Sequence, residues 1–496
     1  MAAKFFRDVL VGLILFVSCS YILVLNPAIL SSAGFPAANV FTATVLAAGF
    51  GSFFMGLRAH APSVVAPGMG LNGFIASFAA VSGLKWQAVL LLMFVVCIIH
   101  WTLFVLPGSR KSFLEAIPQH LMDIITSSVA GMILHDAFVV GGILPNGGSV
   151  VGFVSSLGSL LAPPYKPIPV FFLVSTLIVA GLYSVARHQA ESLLASGRRI
   201  ASGLFDLAAG LVLLGSVPVA AIAAKSILGP GLPPMELQDH VGFGLLPLGE
   251  GFHQAALAVS HDPKLTVPWM VMFVLTALFV LLIDAPGTPY LLLRGTSRSA
   301  GGGAADTNGD TDKSKKPSYD VLVQRGFNIE ALAGLGSVAL QGSPAVCYAE
   351  SNFAKELGAV RGMPAMVAGV MFLSVLACAL LWPAALRNLF ESVPLLSLSP
   401  LLATIAFSVM IAGFGEPSSV KDPGKGTLDK VQRFLPRALA VGGAFAGSLS
   451  IGIALGIVIE FIVSRLRGQQ INGLFFALFI LSVVTLATIL VLTLFQ

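Results

Sequence analysis

Long apolar segments follow one another along almost the whole chain, and this pattern limits the fold more than any other feature. Charged residues make up 10% of the 496 residues and AVILMFWYC residues make up 56%, whereas soluble domains carry roughly 25% charged residues. Too few polar side chains therefore remain to cover a soluble surface. Because each bilayer crossing takes about 20 apolar residues, the sequence predicts an all-α polytopic membrane protein.

Apolar runs bounded by Pro, Gly or basic residues predict fourteen transmembrane spans in two sets of seven. The first set is predicted near residues 6–25, 37–57, 63–82, 86–106, 121–143, 168–186 and 201–224. The second set is predicted near residues 267–293, 327–341, 343–360, 363–384, 393–413, 437–463 and 472–494. The predicted domains are a first repeat at 1–226, an extracellular connection at 227–264 with a candidate interfacial helix, and a second repeat at 265–496 with polar cytoplasmic loops at 294–326 and 415–436.

Basic residues predict how the chain lies in the membrane. The net charge is +5, which in a membrane protein indicates basic loops at an anionic cytoplasmic leaflet and not a nucleic-acid partner. With a cytoplasmic N-terminus and fourteen spans, about three quarters of the 28 Lys and Arg residues lie on the cytoplasmic side. The sequence therefore predicts a multi-pass protein of the plasma membrane with both termini in the cytoplasm.

The third and tenth spans are predicted to be broken, at matching places in the two halves. Residues 66–73 read Ala-Pro-Gly-Met-Gly-Leu-Asn-Gly, and residues 341–351 place Gly342 and Pro344 ahead of Glu350. Paired Pro/Gly breaks of this kind are typical of the binding site of secondary transporters. An odd number of spans in each half gives the halves opposite orientation, so the pattern predicts a 7+7 inverted repeat.

Two acidic residues inside the predicted spans are the candidate site. An acid within a span is costly and marks function by default; Asp284 lies well inside the eighth span and Glu350 directly follows the second break. A carboxylate accepts two parallel N–H bonds, which matches the N–H edge of a nucleobase, and one of the pair is expected to carry a coupling proton. Asp206 and Glu460 are interpreted as interfacial, and the pair His135 and Asp136 as part of a hydrated rim.

Other chemistry finds little support in the sequence. Cys19, Cys97, Cys347 and Cys378 all lie in apolar stretches and predict no disulfide. The isolated histidines lack the spacing of metal ligands, and neither a P-loop nor a nucleophile motif occurs. The sequence therefore predicts no enzyme, no metal and no cofactor.

Several motifs resemble those of one transporter family. The segments Asn26-Pro27-Ala28-Ile29-Leu30, 66–72 (APGMGLN) and Tyr348-x-Glu350-Ser351 look like the signature of the azaguanine-type purine permeases, in the second nucleobase–cation symporter family (nucleobase–ascorbate transporter type). The resemblance implies fourteen spans with core and gate domains, a homodimer, and proton-coupled uptake of guanine, hypoxanthine or adenine.

The resemblance also implies roles for particular residues. The substrate-binding residues would be Glu350, Asp284, Asn72, Gly70, Tyr348 and Thr288. Asp284 and Glu350 would also couple the proton, and Asn26 would have an orienting role. Glu330 lies close to the start of the ninth span, where its position alone leaves open an orienting role or that of an ordinary acid at a helix start. The chain departs from the family in the run 284–288, which contains an extra proline, and in the run 343–347, which loses hydroxyl side chains.

Alternative functions remain open at this point. An anion exchanger or channel of the same inverted-repeat fold is expected to place basic residues or neutral dipoles at the breaks, where this chain has acids. A uracil or xanthine permease would share the scaffold. A membrane-embedded enzyme would need a nucleophile or metal cluster, and a relative that only senses its ligand would show no uptake.

Overall fold

The computed structural model describes most of the helical part of the chain. The described residues are 2–105, 119–144, 167–196, 199–229, 232, 241–264, 266–282, 319–348, 351, 354, 357, 359, 361–414, 427–446, 449–468, 471 and 473–495. The predicted site residues Asp284, Thr288 and Glu350 lie outside these ranges.

The described part of the first half consists of helices with one short strand. These are α1 Ala2–Cys19, α2 Ile22–Ser32, α3 Ala37–Arg58, β1 Val65–Pro67, α4 Met69–Ser82, α5 Trp86–Val105, α6 Gln119–Val140, α7 Pro167–Ala195 and α8 Arg199–Leu228. A further helix, α9 Leu248–His261, occupies the connection in which a candidate interfacial helix was expected. The strand β1 interrupts the third span, as predicted.

The second half contains a similar series of helices with one short strand. It contains α10 Thr266–Leu282, followed by α11 Tyr319–Ala339, β2 Ala345–Cys347, α12 Met363–Leu381, α13 Pro383–Glu391, a 3-10 turn at Leu395–Leu398, α14 Ser399–Phe414, α15 Thr427–Phe445, α16 Leu449–Leu466 and α17 Gly473–Phe495. The strand β2 interrupts the tenth span, again as predicted. Within the described residues, seven helices are long and apolar enough to cross a membrane, and four apolar helices are shorter.

Helix packing follows the inverted repeat. Helix α3 packs on α12, and α11 packs on α5. In the inverted repeat α3 corresponds to α11 and α12 corresponds to α5, so the two pairs are the same contact in the two halves. The hairpin of α7 and α8 corresponds in the same way to the hairpin of α15 and α16. The predicted 7+7 inverted-repeat class is therefore confirmed, with one group of helices around the breaks and another built on α6 and α14.

One predicted span is wrong. The segment 437–463 was expected to cross as one helix, but it contributes to two helices, α15 and α16, that pack side by side. A Cβ atom on Gly443 would come 3.0 Å from the Cα atom of Gly452, so small residues let the chain fold back on itself. Helix α15 also begins at Thr427, inside the predicted loop 415–436, and α17 follows this second set of helices.

Glycines bring α3 and α12 into backbone contact. A Cβ atom at Gly369 would lie 2.6 Å from the carbonyl oxygen of Gly49 and 2.7 Å from the backbone nitrogen of Phe53. These neighbours are backbone atoms, so they cannot move aside as the end of a side chain can. Close approach of small residues is the usual way in which membrane helices associate.

We predict that Gly369→Val lowers the free energy of unfolding by about 1–3 kcal/mol, because the added methyl groups overpack this contact. The measurement is the apparent melting temperature of the detergent-solubilised protein. Gly181→Val is the matched control, since a Cβ atom at Gly181 would meet nothing within 4 Å. Equal melting temperatures for the two variants would contradict the close packing.

Candidate functional site

The two broken spans meet in a short antiparallel pair of strands. Strands β1 and β2 pair Val65 with Cys347, Ala66 with Val346 and Pro67 with Ala345. The N–H of Tyr348 donates to the carbonyl of Val64 at 2.8 Å, and the N–H of Gly68 to that of Pro344 at 3.3 Å. Since lipid offers no hydrogen bonds, unwound backbone at membrane depth must find partners within the protein. Each break supplies those partners for the other.

Side chains of the preceding helices hold the strands from the other side. The hydroxyl oxygen of Ser52, in α3, accepts a hydrogen bond from the N–H of Val65 at 2.9 Å. The carboxyl oxygen Oε1 of Glu330, in α11, accepts one from the N–H of Cys347 at 2.7 Å. Glu330 is fully buried. Its orienting role stays a prediction, for which this contact is the physical basis.

Two residues that flank position 350 in the sequence also hold the first break. The hydroxyl of Tyr348 donates to the carbonyl of Pro67 at 2.7 Å, and the hydroxyl oxygen of Ser351 accepts from the N–H of Val64 at 2.9 Å. Tyr348 was predicted to bind substrate, and its hydroxyl here supports β1. Sequence reasoning assigned no role to Ser351 or Ser52, although Ser351 belongs to the Tyr-x-Glu-Ser motif.

A buried amide network lies beside the crossing. Asn72 donates through Nδ2 to Oδ1 of Asn26 at 2.6 Å, and Asn26 donates through Nδ2 to the hydroxyl oxygen of Thr44, also at 2.6 Å. Ser343 adds a longer hydrogen bond to Oδ1 of Asn26, at 3.4 Å. The structure thus brings Asn26 and Asn72 together, whereas the sequence placed them in separate motifs. The Thr44 contribution was not predicted.

The oxygen of Asn72 is the unused acceptor of this network. Asn72 is fully buried, and its Oδ1 atom has no hydrogen-bond partner among the described residues. A buried amide oxygen without a partner costs about 1–3 kcal/mol. The fixed direction of the Asn72 amide therefore leaves a polar acceptor that a ligand N–H can satisfy.

Asn72 lies in the first turn of α4, where donors are available as well. The residue before this helix is Gly68, which provides no side-chain cap, and Gly70 lies in the first turn. The first N–H groups of a helix have no partner within it and carry partial positive charge. An acceptor and a set of donors therefore lie close together next to the crossing. This combination suits a neutral, planar polar ligand better than an ion.

Two acidic positions expected at a water interface are buried instead. His135 and Asp136 are 7% and 4% exposed, which corrects the prediction of a hydrated rim. Glu460 is 1% exposed and accepts a hydrogen bond from Ser464 within α16, so its carboxyl group packs inside the protein. Counting residues from the end of an apolar run does not reveal which helices cover it. Across the part of the chain that the structure describes, no group of three His, Cys, Asp or Glu side chains is arranged to hold a metal.

The fold and the paired breaks define a polytopic membrane transporter of the inverted-repeat class. The transmembrane domain of a cyanobacterium bicarbonate transporter, BicA, shares the fold with a TM-score of 0.50 at 13% sequence identity, covering 92% of this chain and 97% of that chain. No protein-family model matches the sequence.

Sequence comparison identifies the chain's relatives among purine nucleobase permeases. It is 26% identical to the guanine/hypoxanthine permease PbuO of Bacillus subtilis over 93% of this chain and 92% of that protein. It is 27% identical to the guanine/hypoxanthine permease PbuG of the same organism, over 97% and 96%. The adenine permease AdeQ of Escherichia coli is 26% identical over 93% and 88%. The family resemblance inferred from the motifs is confirmed, and these relatives are permeases, not enzymes.

We predict that Thr44→Val destabilises the protein by about 1–3 kcal/mol, because it leaves the Nδ2 group of Asn26 buried without an acceptor. The measurement is the melting temperature with and without a purine base. Thr42→Val is a closely matched control, since the Thr42 hydroxyl is buried in the same helix and donates to a carbonyl four residues earlier, as that of Thr44 also does. An equal effect of the two substitutions would contradict a role for the Asn26 contact.

Proposed function

We propose that this protein is a purine nucleobase permease that takes up guanine, hypoxanthine or adenine together with protons by alternating access. The observation that carries the proposal is the buried, unpartnered Oδ1 atom of Asn72 beside the uncapped start of α4. A purine base presents N–H donors next to ring-nitrogen acceptors, and guanine and hypoxanthine add a carbonyl acceptor, which is the complement of that arrangement. The named functions of the full-length relatives support the same substrate class.

In this proposal, two carboxylates complete the recognition. Glu350 and Asp284 accept N–H bonds from the base, Asn72 and the backbone at Gly70 provide further polar contacts, and Tyr348 and Thr288 line the same pocket. Asn26 and Glu330 orient the network. One of the two acids carries the coupling proton, because an uncompensated carboxylate is costly at membrane depth. No cofactor is needed.

We also propose in which membrane the protein functions and how its chain is oriented there. The protein functions in the plasma membrane as a homodimer, with the first repeat at 1–226 and the second at 265–496 joined by an extracellular connection, and with both termini in the cytoplasm. A reporter fused after Gln496 tests the orientation. The hairpin of α15 and α16 makes this a sharp test, because one full crossing by each of α15, α16 and α17 would leave Gln496 outside.

Uptake of labelled bases by a cell that lacks its own purine permeases tests the function. Cells that express this chain should accumulate at least one labelled purine, and a protonophore should abolish the accumulation. Unlabelled guanine, hypoxanthine and adenine should compete, whereas uracil, xanthine and bicarbonate should not. Absence of purine uptake by protein that is present in the membrane would overturn the proposal, and competition by bicarbonate alone would favour an anion transporter.

We predict that Glu350→Gln and Asp284→Asn each lower uptake at least tenfold, a loss of about 1.4 kcal/mol or more in binding or coupling. An amide keeps the shape of each side chain, but its NH2 group cannot accept an N–H bond as the second carboxylate oxygen does, and it cannot carry the proton. Glu191→Gln is the matched control, since the Glu191 side chain is 67% exposed on α7. Uptake by Glu350→Gln at the control level would show that the site is assigned to the wrong residues.

A further inference from the structure

A second cluster of titratable side chains lies outside the proposed binding site. The hydroxyl of Tyr21 donates to Oδ2 of Asp136 at 3.2 Å, and Nδ1 of His135 lies 3.4 Å from Oδ1 of the same carboxylate. All three residues are buried, and Tyr21 is only 1% exposed. The other ring nitrogen of His135, Nε2, is buried without a hydrogen-bond partner among the described residues.

The cluster joins two groups of helices. His135 and Asp136 belong to α6, whereas Tyr21 lies at the junction between α1 and α2. The ring centroids of Tyr21 and Tyr348 are 6.5 Å apart. The hydroxyl of Tyr348 in turn donates a hydrogen bond to the carbonyl of Pro67 in β1. A continuous set of contacts therefore leads from α6 to the crossing of the broken spans.

Arg437 of α15 and Glu460 of α16 both lie away from His135 and Asp136. The ring of Phe445, from α15, contacts His135 edge-on with centroids 6.5 Å apart, and α14 contains no titratable residue. Arg437 of α15 pairs with Asp123, about 20 Å along α6 from Asp136 at 1.5 Å per residue. Glu460 lies toward that same end, because Gly456 of α16 packs against Ile124.

The pair is electrically neutral only when it holds one proton. With that proton, Asp136 and His135 form either an ion pair or two neutral groups; without it, a single negative charge stays buried. An uncompensated buried charge is strongly unfavourable, so the closed contact favours the protonated pair. Entry of water between α6 and the α1–α2 junction would stabilise the charge and let the proton leave.

We propose that His135 and Asp136 form a proton-binding site whose occupancy is linked to the separation of α6 from the α1–α2 junction during transport. This inference rests on the proposed function, since it assigns part of the proton coupling to a site other than Asp284 and Glu350. The hydrogen bond from the Tyr21 hydroxyl to Asp136 forms when α6 and the α1–α2 junction are in contact, and it helps to hold them together.

The test is the pH dependence of purine uptake in proteoliposomes at a fixed membrane potential, between about pH 5.5 and about pH 7.5, where histidine titrates. The double variant His135→Gln/Asp136→Asn removes both titrating groups without leaving a lone charge. We expect its ratio of uptake at the two pH values to fall clearly below the wild-type ratio, because the part of the pH dependence that this pair supplies is lost while the part due to Asp284 and Glu350 remains. Tyr21→Phe should change the rate and keep the pH profile, since the titrating pair remains.

Two controls separate this inference from its alternatives. His188→Gln makes one of the same substitutions at an exposed position of α7 and should behave as wild type. If the double variant does not reach the membrane, His135→Gln is measured in the same assay and should also flatten the profile. A uniform loss of uptake at every pH would show a purely structural role and overturn the inference. Failure of wild-type protein to take up any purine would instead overturn the proposed function.

Discussion

The need to satisfy unwound backbone away from water determines the centre of this structure. Strands β1 and β2 lie in segments that the sequence predicts to be membrane spans, where lipid offers neither donors nor acceptors. The two strands satisfy each other's backbone by pairing. Each strand also donates a hydrogen bond to a side chain of the helix before it, Ser52 for β1 and Glu330 for β2. Since the strands come from different halves of the chain, neither half can form this centre alone.

Polar groups beside the crossing support the proposed ligand site. Among the described residues beside the paired strands, the Oδ1 atom of Asn72 has no hydrogen-bond partner, and the start of α4 has no side-chain cap. The amide of Asn72 cannot rotate to hide that atom without breaking its bond to Asn26. The fold therefore holds this acceptor in a fixed direction next to the start of α4, as the proposed recognition of a planar base requires.

Much of this could be predicted from the sequence, and the exceptions have physical causes. Pro67 and Pro344 locate the breaks because proline and glycine are local signals. The hydrogen bond from Tyr348 to Pro67 cannot be predicted from the sequence, because it forms only when two breaks that are distant in sequence meet in space. The apolar run at 437–463 has no hydrophilic gap, so the turn between α15 and α16 is hidden from hydropathy. Burial of His135 and Asp136 depends on a contact with Tyr21 that spacing along α6 cannot reveal.

Tyr348 connects the proposed base-binding site with the proposed proton-binding pair. Its hydroxyl supports β1 next to the proposed binding site, while its ring lies against Tyr21, whose own hydroxyl reaches Asp136. We therefore expect a base that shifts the crossing to move Tyr348, against which Tyr21 packs, and so to affect the hydrogen bond from Tyr21 to Asp136 on α6. If base binding and proton binding are linked through these contacts, each must change the affinity for the other by the same factor. Proton coupling can then arise without any direct contact between the base and the titrating pair on α6.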